Sequence, residues 1–176
     1  PEDDVVLEGN SKNMACVGRG SSPLEYRWLK DGQERTGFST SGRLRLINVS
    51  PQNDAGEYRC IVKNSLGMVL SKKAQLDVAY IGQFPSSPTS ESVDAGQPKV
   101  LSCPPIDSVP VPRYSWFIDN TLIQTNTRTR FITVDGRLVL LSSSGSDSRQ
   151  YKCRASNDDV ADDRISQTIT LSVRGE

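Results

Sequence analysis

The stretch Asp54-Ala-Gly-Glu-Tyr58-Arg-Cys60 decides how this chain is read. Cys16 and Trp28 stand upstream of it. The same arrangement returns in the second half as Asp147-Ser-Arg-Gln-Tyr151-Lys-Cys153, preceded by Cys103 and Trp116. In both copies a tyrosine stands two residues before the closing cysteine and an aspartate stands four before the tyrosine. One such string could arise by chance. Two in register mean that a single structural unit is repeated.

The order Cys…Trp…Tyr-x-Cys is that of an immunoglobulin sandwich, in which a disulfide joins two sheets and an indole packs on it. On this pattern Cys16 pairs with Cys60 and Cys103 with Cys153, Trp28 and Trp116 are core tryptophans, and Tyr58 and Tyr151 form tyrosine corners. The fold class is all-β: two tandem immunoglobulin-like β-sandwiches, one over residues 1–79 and one over 85–176, with a short junction at 80–84. Short alternating runs such as Leu24–Lys30, Leu44-Arg-Leu46, Tyr114–Ile118 and Leu138-Val-Leu140 supply the strands. Asp31-Gly32 and Asn64–Gly67 supply hairpin turns. From the tryptophan to the second cysteine is 32 residues in one copy and 37 in the other. That leaves little room for the extra strand of a variable-type domain, so both are expected to be of the intermediate or constant-like type.

Composition narrows the function. The 4 cysteines are all used by the pattern, leaving no thiol for catalysis or metal binding. Stable disulfides belong to an oxidising, extracellular setting. Lys plus Arg and Asp plus Glu are equal at 21 each, which argues against nucleic acid as a partner. The chain has 0 histidines, so the commonest general base and metal ligand is missing. Neither an enzyme nor a cofactor-dependent protein is expected. No apolar run reaches the length of a membrane span. Membrane attachment is therefore expected only through the remainder of a longer ectodomain.

Several departures from the pattern carry structural expectations. Arg149 stands where the first copy has Gly56, which makes that corner bulkier. Lys12 and Lys99 precede the first cysteines at usually apolar positions and should snorkel to solvent. The Ser/Pro stretch from Pro85 to Ser90 is read as an edge strand, and Tyr80, Ile81 and Phe84 as a packed interdomain junction. Asp158, Asp159, Asp162 and Asp163 crowd one turn but lack the order of a calcium loop. They read as a solvated acidic tip, or as a docking point for a basic segment such as Arg128, Arg130 and Arg137, on this chain or a second copy. Arg130 is also expected to pair with Asp147.

Recognition should lie on residues that alternate with the inward set. In the first domain these are Arg59 and Ile61 beside Arg27 and Leu29; in the second, Phe117 is the apolar member. Apolar side chains mixed with arginines on one sheet face suit a protein interface. Asn48-Val49-Ser50 is a glycosylation sequon, followed by Pro51.

Three stretches go beyond the general pattern. They are Pro23–Leu29, Tyr58–Asn64 running on to Val78–Phe84, and Ser166–Leu171. Together they resemble the first two immunoglobulin domains of the Sidekick family of cell-adhesion proteins, over nearly the whole chain. The contactins share the aromatic junction and are the nearest rival. The resemblance implies a single-pass membrane protein with further immunoglobulin and fibronectin type III domains, exposed at the cell surface, at synapses and cell junctions. It implies homophilic binding, in trans and in cis, with no catalytic motif. Another immunoglobulin-superfamily protein as partner is the alternative.

Overall fold

The computed structural model describes residues 1–123 and 127–175. Two compact units emerge, Pro1–Tyr80 and Ile81–Glu176. The first contains β1 (Asp4–Leu7), β2 (Lys12–Ala15), β3 (Glu25–Lys30), β4 (Gln33–Glu34), β5 (Arg43–Leu46), α1 (Pro51–Asp54), β6 (Gly56–Asn64) and β7 (Gly67–Leu70). β8 (Ala74–Ile81) closes it. The second contains β9 (Thr89–Asp94), β10 (Lys99–Leu101), β11 (Ser108–Val109), β12 (Arg113–Ile118), β13 (Thr121–Leu122), β14 (Arg130–Ile132) and β15 (Leu138–Leu140). A 3-10 turn (Gly145–Asp147), β16 (Gln150–Ser156), β17 (Arg164–Ile165) and β18 (Ile169–Arg174) complete it.

Each unit is two sheets over a core. In the first, β1-β8-β6-β3-β4 form one sheet, with β7 also on β6, and β2-β5 form the other. In the second, β13-β12-β16-β18-β9 face β10-β15-β14, with β17 also on β16. Both units enter through a parallel pairing of the first strand with the last, β1 with β8 and β9 with β18. The disulfides Cys16–Cys60 and Cys103–Cys153 join the sheets, with Cα separations of 6.4 Å and 5.9 Å. Closing loops of 44 and 50 residues stabilises each unit by roughly 4 kcal/mol on a chain-entropy basis. Trp28 and Trp116 are buried on them within clusters of Leu, Val and Tyr.

The two tyrosine corners are built alike and supported differently. Tyr58 Oη donates to the Asp54 carbonyl at 2.8 Å, and Tyr151 Oη to the Asp147 carbonyl at 3.0 Å. Burial is the main cause that pushes each hydroxyl up to about 12, with Asp54 and Asp147 adding to it. Gly56, at φ +145°, lets the Asp31 carboxylate approach so closely that a Cβ would stand 2.6 Å from its Oδ1. The Lys30 ammonium, followed by the Glu57 amide that Asp31 accepts at 2.8 Å, holds the Asp31 carboxyl below the usual range. In the second unit Arg149 replaces the glycine and reaches Asp119 at 3.0 Å. The bulk expected at that corner is therefore accommodated by turning a close approach into an ion pair.

Four expectations need correction. The Ser/Pro stretch is not a strand up to Pro88; β9 begins at Thr89. Pro85 and Pro88 lack the N–H that a ladder requires, so pairing starts directly after the second. Lys12 and Lys99 do not simply reach solvent: their ammonium groups meet Asp4 and Glu91, the latter at 2.7 Å. Arg130 is not among the described ion pairs, because Asp147 accepts from the Ser144 amide at 2.9 Å and hydroxyl at 3.0 Å to cap the 3-10 turn. At the acidic turn Asp158 pairs with Arg113, and Asp163 with Arg154 at 3.5 Å. All four aspartates are exposed, as a solvated acidic tip requires, and within this chain their described ion-pair partners are Arg113 and Arg154, set beside the turn by the β12–β16 pairing, rather than Arg128, Arg130 or Arg137.

Candidate protein-binding surface

The β3–β6 ladder decides which residues share the outer face of the first unit. Its register sets Arg27 opposite Ile61 and Leu29 opposite Arg59. All four are half-buried and adjacent, while Trp28, Tyr58 and Cys60 point to the core. The four residues read from alternation therefore form one patch. β7 extends it by setting Leu70 beside Ile61 and Met68 beside Lys63.

The centre of the patch is a residue that alternation does not find. Phe38 lies in the irregular stretch after β4, pinned by the bridge between Tyr26 and Ser39, whose backbone groups exchange bonds of 2.7 Å and 2.9 Å. The Thr36 hydroxyl accepts the Trp28 amide at 3.0 Å and fixes the other side of the stretch. The ring thus lies across the strands, with the Arg27 guanidinium 4.1 Å and the Lys63 ammonium 4.0 Å from its centroid. Cations at this distance are attracted by the ring's negative face.

The cations are also held by local acceptors. Arg27 pairs with Glu34, and Lys63 with Glu25 at 3.1 Å. Arg59 donates from Nε and Nη2 to the Ser71 carbonyl at 3.0 Å and 2.8 Å. A long, flexible set of side chains is thereby fixed before any partner arrives. Such preorganisation lowers the entropy cost of binding. The patch can act as a rigid, mixed apolar and aromatic platform; it brings together no nucleophile–base pair.

Phe117 is half-buried on the corresponding face of the second unit, with Arg154 5.9 Å from its ring centroid. Arg154 also donates to Ser115 Oγ at 3.0 Å. Tyr80 and Ile81 end β8, and Phe84 packs on the core of the second unit. Asn48 is exposed in a left-handed conformation at φ +52°, while Val49 is buried and Ser50 caps α1. Among the described residues, no helix is long and apolar enough to cross a membrane.

A family profile described as an immunoglobulin domain matches residues 1–64 and 83–157, in register with both sandwiches. The chain belongs to the immunoglobulin-domain family. Its immunoglobulin pair is 40% identical over 169 residues to protein sidekick-2 of Gallus gallus, covering 96% of this chain and 8% of that protein. Contactin-5 of Gallus gallus is 31% identical over 99% of this chain and 18% of its own length. A solved structure of Sidekick-1 immunoglobulin domains 1–4 superposes with a TM-score of 0.86 at 32% identity, over 98% of this chain and 45% of that one. The Sidekick resemblance read from the three sequence stretches is thus supported in both sequence and structure, with contactin-5 the more distant. The chain spans about 8% of the length of the Sidekick relatives it matches.

Proposed function

We propose that this immunoglobulin pair is an extracellular cell-adhesion module that binds a second copy of itself through the outer β3–β6 face of the first unit. The observation that carries the reading is the Phe38 ring, set against the paired Arg27 and Lys63 on the face that also presents Leu29 and Ile61. Aromatic and arginine side chains in such a setting are the usual anchors of protein interfaces. A self-complementary patch would generate a two-fold dimer, in trans between cells and in cis on one surface. Phe117 is proposed as a lesser contact on the second unit. The likeness to Sidekick proteins supports a place at the cell surface, at junctions and synapses, in a single-pass membrane protein. Asn48 is proposed as a glycan acceptor on a separate turn, away from the platform.

Sedimentation equilibrium of residues 1–176 tests the reading. Reversible dimers are expected at high micromolar concentration, and a strictly monomeric species would overturn self-recognition by this pair. Bead aggregation separates the alternatives: coated beads should clump with one another, whereas clumping only with a second protein would establish heterophilic binding.

A further inference from the structure

The partner strand of β6 is interrupted between β7 and β8, and the interruption is built on a serine. Leu70 stands opposite Ile61, and Ala74 opposite Tyr58. Ser71, Lys72 and Lys73 therefore face only Arg59 and Cys60, one residue too many for a regular ladder. Such a β-bulge bends its strand and re-aims the groups around it. The second unit carries the same bulge at the same place. Ile165 stands opposite Arg154 and Ile169 opposite Tyr151, so Ser166, Gln167 and Thr168 face only Lys152 and Cys153.

The hydrogen bonds at the two bulges match. The Ser71 amide donates to the Cys60 carbonyl at 2.8 Å, as in a regular antiparallel pair. The return bond is irregular. The Cys60 amide donates at 3.0 Å to Ser71 Oγ rather than to the Ser71 carbonyl, and the hydroxyl donates onward to the Lys72 carbonyl at 2.7 Å. Ser166 repeats these bonds, with the Cys153 carbonyl at 2.8 Å, the Cys153 amide at 3.0 Å and the Gln167 carbonyl at 2.9 Å. In each unit a serine hydroxyl stands in for its own carbonyl in the ladder, and that carbonyl is released from the strand pair.

What the released carbonyl holds differs between the units. In the first it accepts from Arg59 Nε at 3.0 Å and from Nη2 at 2.8 Å. The equivalent residue of the second unit, Lys152, donates instead to Asn120 Oδ1 at 3.1 Å. Arg27 and Lys63 have carboxylate partners on the β3–β6 face, whereas Arg59 has none among the described ion pairs. The Ser71 carbonyl is thus what fixes the Arg59 guanidinium.

We infer that Ser71 is a positioning residue for the adhesive face, a role that rests on the self-adhesion reading of that face. By taking over the ladder bond of Cys60, its hydroxyl frees its carbonyl to clamp Arg59 opposite Leu29. Cys60 is buried, and a buried amide without an acceptor is costly. With alanine at position 71, the residue's own carbonyl turns in to accept that amide, the bulge relaxes toward a regular pair, and Arg59 is let go. A freed arginine must be ordered again when a partner binds, which weakens affinity by about three- to tenfold.

The test compares Ser71→Ala with Ser166→Ala and Ser71→Thr in residues 1–176. Ser166→Ala removes the same hydroxyl from the same bulge and controls for a merely structural effect; Ser71→Thr restores the hydroxyl. NMR at a concentration where the chain is monomeric follows the Arg59 Nε–H. Its exchange with water should quicken by about tenfold or more in Ser71→Ala and change little in the other variants. Sedimentation equilibrium then reads the dimer constant, expected to weaken by about three- to tenfold for Ser71→Ala alone. In an Arg59→Ala background, Ser71→Ala should weaken the dimer no further. Unchanged Arg59 exchange in Ser71→Ala overturns the clamp. Faster exchange with an unaltered dimer constant, equal weakening by Ser166→Ala, or a further loss in the Arg59→Ala background overturns the positioning role. A parent chain that never dimerises refutes self-adhesion and this role with it, while the exchange measurement, made on monomers, judges the clamp separately.

Discussion

Phe38→Ala is the sharpest perturbation of the proposed adhesive face. The ring lies within 4.1 Å of the Arg27 guanidinium and 4.0 Å of the Lys63 ammonium. Each cation–π contact at a half-exposed site contributes about 0.5–1 kcal/mol. Both cations keep their carboxylate partners, Glu34 and Glu25, when the ring is removed. The folded first unit should therefore lose only about 1–2 kcal/mol. Binding should suffer more, because truncating a central aromatic anchor typically costs about 2 kcal/mol or more, a weakening of about 30-fold in Kd. Phe38→Tyr keeps the ring and should bind within a few-fold of the parent. Sedimentation equilibrium gives the dimer constant, and thermal melts followed by circular dichroism give the stability. An unchanged dimer constant for Phe38→Ala, with the melt shifted as expected, would refute the placing of the interface on this face.

Three further outcomes follow from the cores. Trp116 Nε1 donates to the buried Gly136 carbonyl at 2.7 Å, whereas Trp28 Nε1 is buried with no hydrogen-bond partner among the described residues. Trp116→Phe should therefore destabilise its unit by about 1–3 kcal/mol more than Trp28→Phe does, read from urea melts of each variant. Tyr58 and Tyr151 ionise near 12 in the fold, against about 10 in an unfolded chain. The unfolded state sheds those protons first, so their stabilisation is fully present below pH ~10 and falls between ~10 and ~12 by up to ~1.4 kcal/mol per unit per tyrosine. Alkaline melts of Tyr58→Phe and Tyr151→Phe should show a shallower decline than the parent. Arg149→Ala removes an exposed ion pair with Asp119 and should cost under about 1 kcal/mol, measurable as a small shift in the melting of the second unit.

The fold was legible because its determinants are local and repeated. Cysteines, tryptophans and tyrosines at fixed spacing define the sheet pair, and β3, β6, β12 and β16 fall where alternation puts them. Alternation also finds Arg27, Leu29, Arg59 and Ile61, because it is a property of strands. Phe38 escaped it. Its stretch, Arg35-Thr-Gly-Phe-Ser39, has no strand period, and its position is fixed by the Tyr26–Ser39 bridge, a tertiary feature. Met68 and Leu70 escape it as well, because only the β6–β7 register places them beside Lys63 and Ile61. The Arg130–Asp147 pair is not among the described ion pairs; Asp147 Oδ2 instead accepts from the Ser144 amide and hydroxyl, a local capping role that spacing does not rank.

The ion pairs around Phe38 also bear on the kind of recognition this face can support. A patch containing Arg27, Arg59 and Lys63 looks cationic in sequence, and such a surface would be expected to steer acidic partners. In the folded unit the charges of Arg27 and Lys63 are compensated at short range by Glu34 and Glu25, and Arg59 is spent on the Ser71 carbonyl. The field leaving the surface is correspondingly small, while the side chains remain in place as packing elements. Screening by salt acts mainly on charges separated by more than a Debye length, about 8 Å at physiological ionic strength, and hardly on contacts this close. Discrimination between partners must then come from the shape set by Leu29, Phe38 and Ile61. Of the three cations Arg59 alone keeps its charge without a carboxylate partner among the described ion pairs, so two identical copies meet with a smaller like-charge penalty than a bare cationic face would impose.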